Sequence, residues 1–135
     1  MSYLTPTPSS LSTGSIISIS NDTSTASATV PNTDTNVKTY ALAANAYSTI
    51  IAEADVEIDC GVLTTIQDIT VKVKIGASSK DYIFTGVGVA QKRTFGVRLT
   101  AAQKAAATVA ISHGAAAADA NTTVIIQNLY VRGIV

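Results

Sequence analysis

Hydrophobic and polar residues alternate with a period of two along several short stretches of this chain. The longest is "IIAEADVEID", residues 50–59, in which apolar side chains fill the even positions while Glu53, Asp55 and Glu57 lie at odd ones. Successive side chains of a β-strand point to opposite faces of its sheet, so this pattern predicts a strand with one buried and one acidic face. The even positions are therefore predicted to face a core.

Other stretches repeat this pattern and are separated by residues typical of turns. In "ITVKVKI" the isoleucines and valines are predicted to face inward and Lys72 and Lys74 outward. In the C-terminal stretch the alternation changes phase at Gln127 and Asn128, which predicts a β-bulge. Seven or eight such strands predict an all-β fold, a β-sandwich that is jelly-roll-like. The predicted strands after the N-terminal segment are residues 37–44, 50–59, 69–75, 80–89, 93–99, 108–112 and 122–135.

One stretch, "TAAQKAAA" at residues 100–107, has a helical signal instead. Thr100 and Gln103 have the spacing of a capping box, and alanine has the highest helix propensity. We therefore predict one short helix between two strands.

Residues 1–36 differ from the rest of the chain because Ser and Thr dominate, all three prolines occur here, and charge is almost absent. Such a segment buries too little apolar surface to offset its ordering entropy. We predict an extended N-terminal arm over residues 1–36 and a sandwich domain over residues 37–135. In "GSIISIS" Ile17 and Ile19 alternate with serines as in a short strand, so an ordered arm would lie on its own sheet or add a strand to a neighbouring subunit. Ile16, Ile17 and Ile19 are the predicted partner-binding residues of this arm.

The acidic row of residues 50–59 has two interpretations. Several carboxylates could bind Ca²⁺, but alternate strand residues lie nearly 7 Å apart in a line, which is poor geometry for one ion. The favoured interpretation is the solvent-facing side of an antiparallel sheet. If the strand of residues 69–75 is its neighbour, Glu57 would pair with Lys72 and Asp55 with Lys74. A jelly roll would separate the two strands, and the lysines would then need other partners.

Composition narrows the function. Nine basic and nine acidic residues give no net charge, which makes a nucleic-acid partner unlikely in the absence of a basic surface. Only 13% of residues are charged, which suits a surface covered by other subunits. The start of the chain has no secretion-signal pattern and no stretch approaches a membrane span, so we expect a protein made in a cytoplasm with no membrane partner.

The residues offer little reactive chemistry. Cys60 and His113 are the single cysteine and histidine, and they form neither a disulfide nor a zinc site of four ligands. No motif supports a Cys-His nucleophile pair, and Cys60 continues the inward positions of its strand, while His113 resembles a strand end. Gly86 and Gly88 lack the context of a phosphate loop and more often mark a bulge or a close backbone approach. We therefore predict no catalytic, cofactor or metal site, and no enzyme.

The order of the parts resembles a known class. A Ser/Thr/Pro arm followed by "TYALAANAYSTIIAEADVEI", "ITVKVKIGASSKDYIF", "TVAIS" and "TTVIIQNLYVRGIV" is similar to the small jelly-roll virion proteins of tailed bacteriophages, of the capsid decoration or cement type. The resemblance covers about residues 38–135 and is one of pattern and composition. It implies a protein of the virion, assembled in the host cytoplasm, that binds the major capsid protein or other virion subunits, commonly as a trimer, and reinforces the head lattice.

Two other classes remain open beside this one. A phage tail or fibre module that binds a receptor or carbohydrate would need a stacking surface, to which Tyr40, Tyr47, Tyr82 and Tyr130 could contribute. A filament subunit that uses donor strands is disfavoured by the missing secretion signal. An enzyme is the least expected class because no acid, base and nucleophile set is present.

Overall fold

The structure is a computed structural model that describes residues 14–63 and 65–135. The described residues form nine β-strands joined by short connections. The strands are β1 Ile16–Asp22, β2 Ala26–Val30, β3 Thr35–Leu42, β4 Thr49–Cys60, β5 Asp68–Ile75, β6 Ser78–Thr85, β7 Gln91–Ala101, β8 Ala107–Ala115 and β9 Asp119–Ile134.

The nine strands form two antiparallel sheets that pack face to face. Sheet A has the order β1-β9-β4-β7, and β2 pairs with β9 beyond the end of β1. Sheet B has the order β3-β8-β5-β6. If β1 and β2 are taken as one interrupted strand, this is the two-sheet strand order of a jelly roll. The predicted all-β sandwich is confirmed.

The core lies between the sheets, and the alternation of the sequence explains it. The even positions of β4 and the odd positions of β5 are buried, as predicted. Each large aliphatic side chain that is fully buried contributes about 1.5–3 kcal/mol to stability. The buried members of these two strands that face the core are Ile50, Ala52, Ala54, Val56, Ile58, Cys60, Ile69, Val71, Val73 and Ile75. Ile51, at an odd position of β4, is buried as well.

The predicted bulge lies in β9 and changes its register against β4. Tyr130 pairs with Glu53, whereas Gln127 pairs with Asp55, so β9 has one residue more than β4 between these pairs. Asn128 takes a left-handed backbone conformation with φ of 57°, which asparagine adopts more readily than most residues. The bulge returns both halves of β9 to the correct face and confirms the prediction.

The predicted N-terminal arm lies on its own sheet, which is one of the two alternatives for it, and it is not a separate extended segment over the described residues 14–36. Residues 1–13 lie outside the described residues. Residues 16–30 form β1 and β2, which pair with β9 of the same chain. The sandwich therefore begins before residue 37. The alternation of β2 was hard to recognise because its inward residues include small alanines. Ser and Thr supply the backbone hydrogen bonds of a β-sheet as well as other residues do.

A buried lysine connects this N-terminal segment to the opposite sheet. Lys38 on β3 has a side chain only 4% exposed, and its Nζ lies 3.2 Å from the Asp22 carboxylate. It also donates hydrogen bonds to the Ser24 carbonyl and, at 3.1 Å, to the Ser24 hydroxyl. These oxygens replace the water that burial removes from the ammonium group. The hydrogen bonds from Ser24, together with Lys38, lower the pKa of Asp22.

The predicted short helix is wrong. β7 continues through Thr100 to Ala101, and the five residues before β8 form an irregular connection. A connection this short is below the length at which helix formation is favourable. The backbone oxygens of Gln103 and Lys104 instead accept hydrogen bonds from Asn45, at 3.0 and 2.8 Å. In the described part of the chain, no helix is long and apolar enough to cross a membrane.

A tyrosine joins the two sheets along the side formed by β6 and β7. The Tyr82 hydroxyl accepts a hydrogen bond from the Arg98 N–H at 2.9 Å and donates one to the Arg98 carbonyl at 2.8 Å. The Tyr82 ring also stacks against Phe95, with 6.4 Å between ring centroids. Tyr82 therefore occupies backbone groups of an edge strand that would otherwise be free to pair with another chain.

Gly86 and Gly96 offer a matched test of how closely the β6–β7 connection packs against the β4–β5 connection. A Cβ at Gly86 would overlap the Gln67 carbonyl oxygen and come within 2.5 Å of Leu63 Cδ1, as the predicted close backbone approach requires. A Cβ at Gly96 would meet nothing within 4 Å. We predict that Gly86→Ala lowers the free energy of unfolding by about 1–3 kcal/mol, because backbone must move, whereas Gly96→Ala leaves it unchanged or raises it slightly.

Urea unfolding of both variants measures this difference. Equal stability of the two variants would show that the connection after β6 does not pack as the structure has it.

Candidate functional site

The outer face of sheet A carries the acidic row of β4 at its centre. Glu53 lies between Arg98 on β7 and Tyr130 on β9, and Asp55 lies between Gly96 and Gln127. These carboxylates are exposed or half-buried, whereas the even positions of β4 face the core. The row is thus the outward side of a central strand, flanked by a strand on each side.

Neighbouring strands supply a partner to each of the first three carboxylates. Arg132 forms an ion pair with Glu53, and Lys92 Nζ lies 3.0 Å from Glu57 Oε1. Asn128, at the bulge, donates a 2.8 Å hydrogen bond to Asp55. The hydrogen bond to Glu57 raises the pKa of Lys92. Exposed pairs of this kind contribute little to stability, but they relieve repulsion along the row.

Of the two alternatives for Lys72 and Lys74, the pairing with this row does not occur, because β5 lies in sheet B. Lys72 Nζ is 3.9 Å from Asp81, and Lys74 forms an ion pair with Asp34. Partial burial favours a higher pKa for Asp34, but the hydrogen bond from Lys74 helps to outweigh it and the pKa is lowered. This is the arrangement expected for a jelly roll.

A shallow depression opens on the outer face of sheet A between β7, β4 and β9. Its volume is about 520 Å³. It exists partly because Gly96 contributes no side chain, and the bulge residue Asn128 forms part of its wall. A second depression of about 300 Å³ adjoins it and shares Asp55. The polar and aromatic groups that line the first are Glu53, Asp55, Arg98, Asn128, Tyr130 and Arg132.

The chemistry of this depression suits hydrogen bonding to a polar ligand. It offers carboxylates, guanidinium groups, an amide and one phenol ring, and the Arg132 guanidinium lies 4.9 Å from the centre of the Tyr130 ring. In residues 14–63 and 65–135, no group of three or more His, Cys, Asp or Glu side chains could hold a metal ion. Sequence reasoning missed the depression; its signals were Gly96 on an outward position of β7 and the change of phase in β9.

The four tyrosines considered as a stacking surface lie in different places. Tyr40 is on β3 and Tyr82 on β6, at opposite edges of sheet B. Tyr47 packs over Gly133, where an added Cβ would lie 2.5 Å from its ring. Tyr130 alone of the four lines the depression on sheet A. They do not form a common platform.

Cys60 and His113 lie in different sheets and are both buried. The Cys60 thiol donates to the Gly61 carbonyl at 3.2 Å and accepts a 3.5 Å hydrogen bond from Thr122. His113 lies within β8 rather than at its end, and neither of its ring nitrogens has a hydrogen-bond partner among the described residues. The histidine therefore does not activate the cysteine in this structure.

Residues Ile16, Ile17 and Ile19 lie in β1, at the edge of sheet A. Ile19 packs partly against the core and Ile17 is half-buried, whereas Ile16 is 55% exposed. Ile16 therefore keeps most of its surface available for a partner, and Ile17 and Ile19 are partly used within the chain. Their partner-binding role stays a prediction.

Comparison with known proteins adds information on the fold. No known protein family matches the sequence, and no curated protein matches it. Among solved structures, a chain of infectious bursal disease virus, Gx strain, is similar over 99% of this chain and 37% of its own length, with a TM-score of 0.54 and 9% identity.

Two further similarities are weaker. The PRD1 vertex protein P5 is similar over 82% of this chain and 71% of its own, with a TM-score of 0.47 and 12% identity. A Clostridium thermocellum xylanase, Xyn10B, with a CBM22-1 module is similar over 86% of this chain and 28% of its own, with a TM-score of 0.43 and 9% identity. The sheet topology and the similarity to the infectious bursal disease virus chain establish the class as a two-sheet β-sandwich.

The buried histidine gives a prediction about pH. Desolvation by the core lowers the pKa of His113, although the charge of Asp34 acts in the opposite direction. The unfolded chain takes up a proton near pH 6.5 while the folded chain resists it, so the free energy of unfolding should fall as the pH drops below about 6.5. One such proton gives a slope of at most about 1.4 kcal/mol per pH unit.

Urea unfolding between about pH 7.5 and about pH 5 measures this slope, with His113→Leu as the variant that lacks the proton. The pKa values of Asp22 and Asp34 are lowered from the ordinary aspartate value, so in the folded chain these groups titrate below this range. The same slope in His113→Leu as in the unchanged protein would assign the effect to another group.

Proposed function

We propose that this protein is a structural protein of a virion, of the capsid decoration or cement type, that binds the head lattice of a tailed bacteriophage and stabilises it. The observation that carries the proposal is the jelly-roll strand order. The structure with this order is similar, over 99% of the chain, to a chain of infectious bursal disease virus. The sequence resemblance to small phage virion proteins supports the same function independently.

The surface chemistry supports attachment rather than catalysis. The chain has few charged residues and no net charge, so its copies and its partners meet without long-range repulsion. The one cysteine and the one histidine are buried in different sheets. Attachment of this kind requires neither a cofactor nor catalysis. Many modest contacts with a repeating lattice act together through avidity.

The proposed partners are the major capsid protein or other virion subunits, and the proposed assembly is a homotrimer. Of the predicted partner-binding residues, Ile16 is the one whose side chain is most available. Assembly of the virion would take place in the host cytoplasm.

The direct test uses heads of the encoding phage that were assembled without this protein. We expect the purified protein to bind these heads to saturation, at a fixed number of copies per capsid protein, and to raise the temperature at which the heads rupture. Calorimetry and quantitative mass spectrometry measure both effects. Absence of the protein from purified complete particles would contradict the proposal.

A second candidate function, a receptor-binding or carbohydrate-binding module of a phage tail or fibre, rests on the depression of sheet A. Its lining of Tyr130, Arg98 and Asp55 combines a ring with hydrogen-bonding groups. The variant Tyr130→Ala separates the two functions. It should leave binding to heads unchanged under the first proposal, whereas loss of binding to a glycan on an array would support the second.

A further inference from the structure

The β2–β3 connection, residues 31–34, lies at one end of the sandwich, where the Ala115 N–H donates to the Pro31 carbonyl at 3.1 Å. Three other connections meet at the same end and form an apolar surface, here named the tip. They are the β4–β5 connection at residues 61–63 and 65–67, the β6–β7 connection at residues 86–90, and the β8–β9 connection at residues 116–118. Most large hydrophobic side chains that are exposed in the described chain lie here. They are Val62 at 61%, Ile66 at 67%, Val87 at 42% and Val89 at 63% exposed.

The tip is held together by hydrogen bonds between its connections. The Gln67 side chain donates to the Ala117 carbonyl at 2.7 Å and accepts from the Ala117 N–H at 2.8 Å. The Gly86 N–H donates to the Gln67 carbonyl at 3.2 Å, and the Asn121 side chain donates to the Val62 carbonyl at 3.4 Å. The exposed valines and isoleucine are therefore displayed on a connected surface.

The charges around the tip point to its partner. The three connections contain no charged residue in the parts that the structure describes. The strand ends that surround them carry both signs, with Asp59 and Asp68 acidic and Lys92 and Arg93 basic, all of them outside the tip. The adjacent β2–β3 connection adds Asp34, which is paired with Lys74. An apolar centre with a polar rim is the usual anatomy of a protein–protein interface. A rim of mixed sign offers no advantage to a polyanion such as nucleic acid.

We propose that copies of this chain associate tip to tip, so that the apolar tip of one copy is covered by the tip of a second. An uncharged centre meets its own copy without repulsion, and a rim that carries both signs is complementary to itself, as contacts between identical patches require. This proposal goes beyond the proposed function and does not depend on a role in a virion.

The size of the tip sets the strength of this association. Stable interfaces use about 20–30 residues on each side, and the three connections are smaller than that. The contact therefore belongs among weak interfaces, which form reversibly as the protein concentration rises. In a larger assembly the same contact gains strength from the other contacts around it.

Sedimentation equilibrium over a wide range of protein concentration tests the proposal. We expect the unchanged chain to associate reversibly, and Val89→Asp or Ile66→Asp to weaken the association by about tenfold or more, because each buries an unpaired charge. The matched control is Ala106→Asp, which places the same charge on an exposed side chain of the β7–β8 connection, at the opposite end of the sandwich and outside the predicted partner-binding residues. It should associate as the unchanged chain does.

A mixture of two variants identifies the partner as a second copy. Val89→Asp and Val89→Lys should each associate poorly alone and should associate with each other when mixed, because opposite charges then meet across the contact. Circular dichroism confirms that each variant is folded. A chain that stays monomeric at all concentrations, association that the tip variants leave unchanged, or equal loss in Ala106→Asp would each overturn the proposal.

Discussion

The pairing of β4 with β9 is the interaction on which the rest of the structure depends. These are the two longest strands and the centre of sheet A, and every other strand of that sheet pairs with one of them. β7 pairs with β4, while β1 and β2 both pair with β9. The inward side chains of β4 and β9 also form much of the core that packs against sheet B. A change of register between these two strands would therefore misplace both the edge strands and the core.

The bulge at Asn128 reconciles the two tasks of β9. Before and after it, β9 must point apolar residues inward while it pairs with β4 on one side and with β1 and β2 on the other. A single extra residue restores the inward phase and, at the same point, places Asn128 beside Asp55. The depression of the outer face thus arises where the packing of the core required an irregular strand. Its polar lining is a consequence of the fold that a ligand could use.

Sequence reasoning worked where inward residues were large. The alternation of isoleucine and valine in β4 and β5 predicted two strands and their buried faces, and the change of phase predicted the bulge. It failed where inward residues were small, because Ala26 and Ala28 of β2 do not stand out in a Ser/Thr-rich segment. The predicted helix at residues 100–107 was wrong because the backbone oxygens of Gln103 and Lys104 bond to Asn45. This residue is distant in sequence, so no local pattern could indicate the contact. The tip and the depression combine residues distant in sequence. Local patterns such as Gly96 and the change of phase in β9 marked single parts of the depression, but they could not show that these parts meet.

Hydrogen exchange of the backbone amides in residues 16–30 tests the central claim, that the N-terminal segment completes sheet A of its own chain. The isolated protein at a concentration where it is monomeric is the sample of choice. Slow exchange across β1 and β2, comparable to that of their partner β9, is the result that the structure predicts. Exchange as fast as in an unfolded chain would show that these strands need a neighbouring subunit, and would contradict the account.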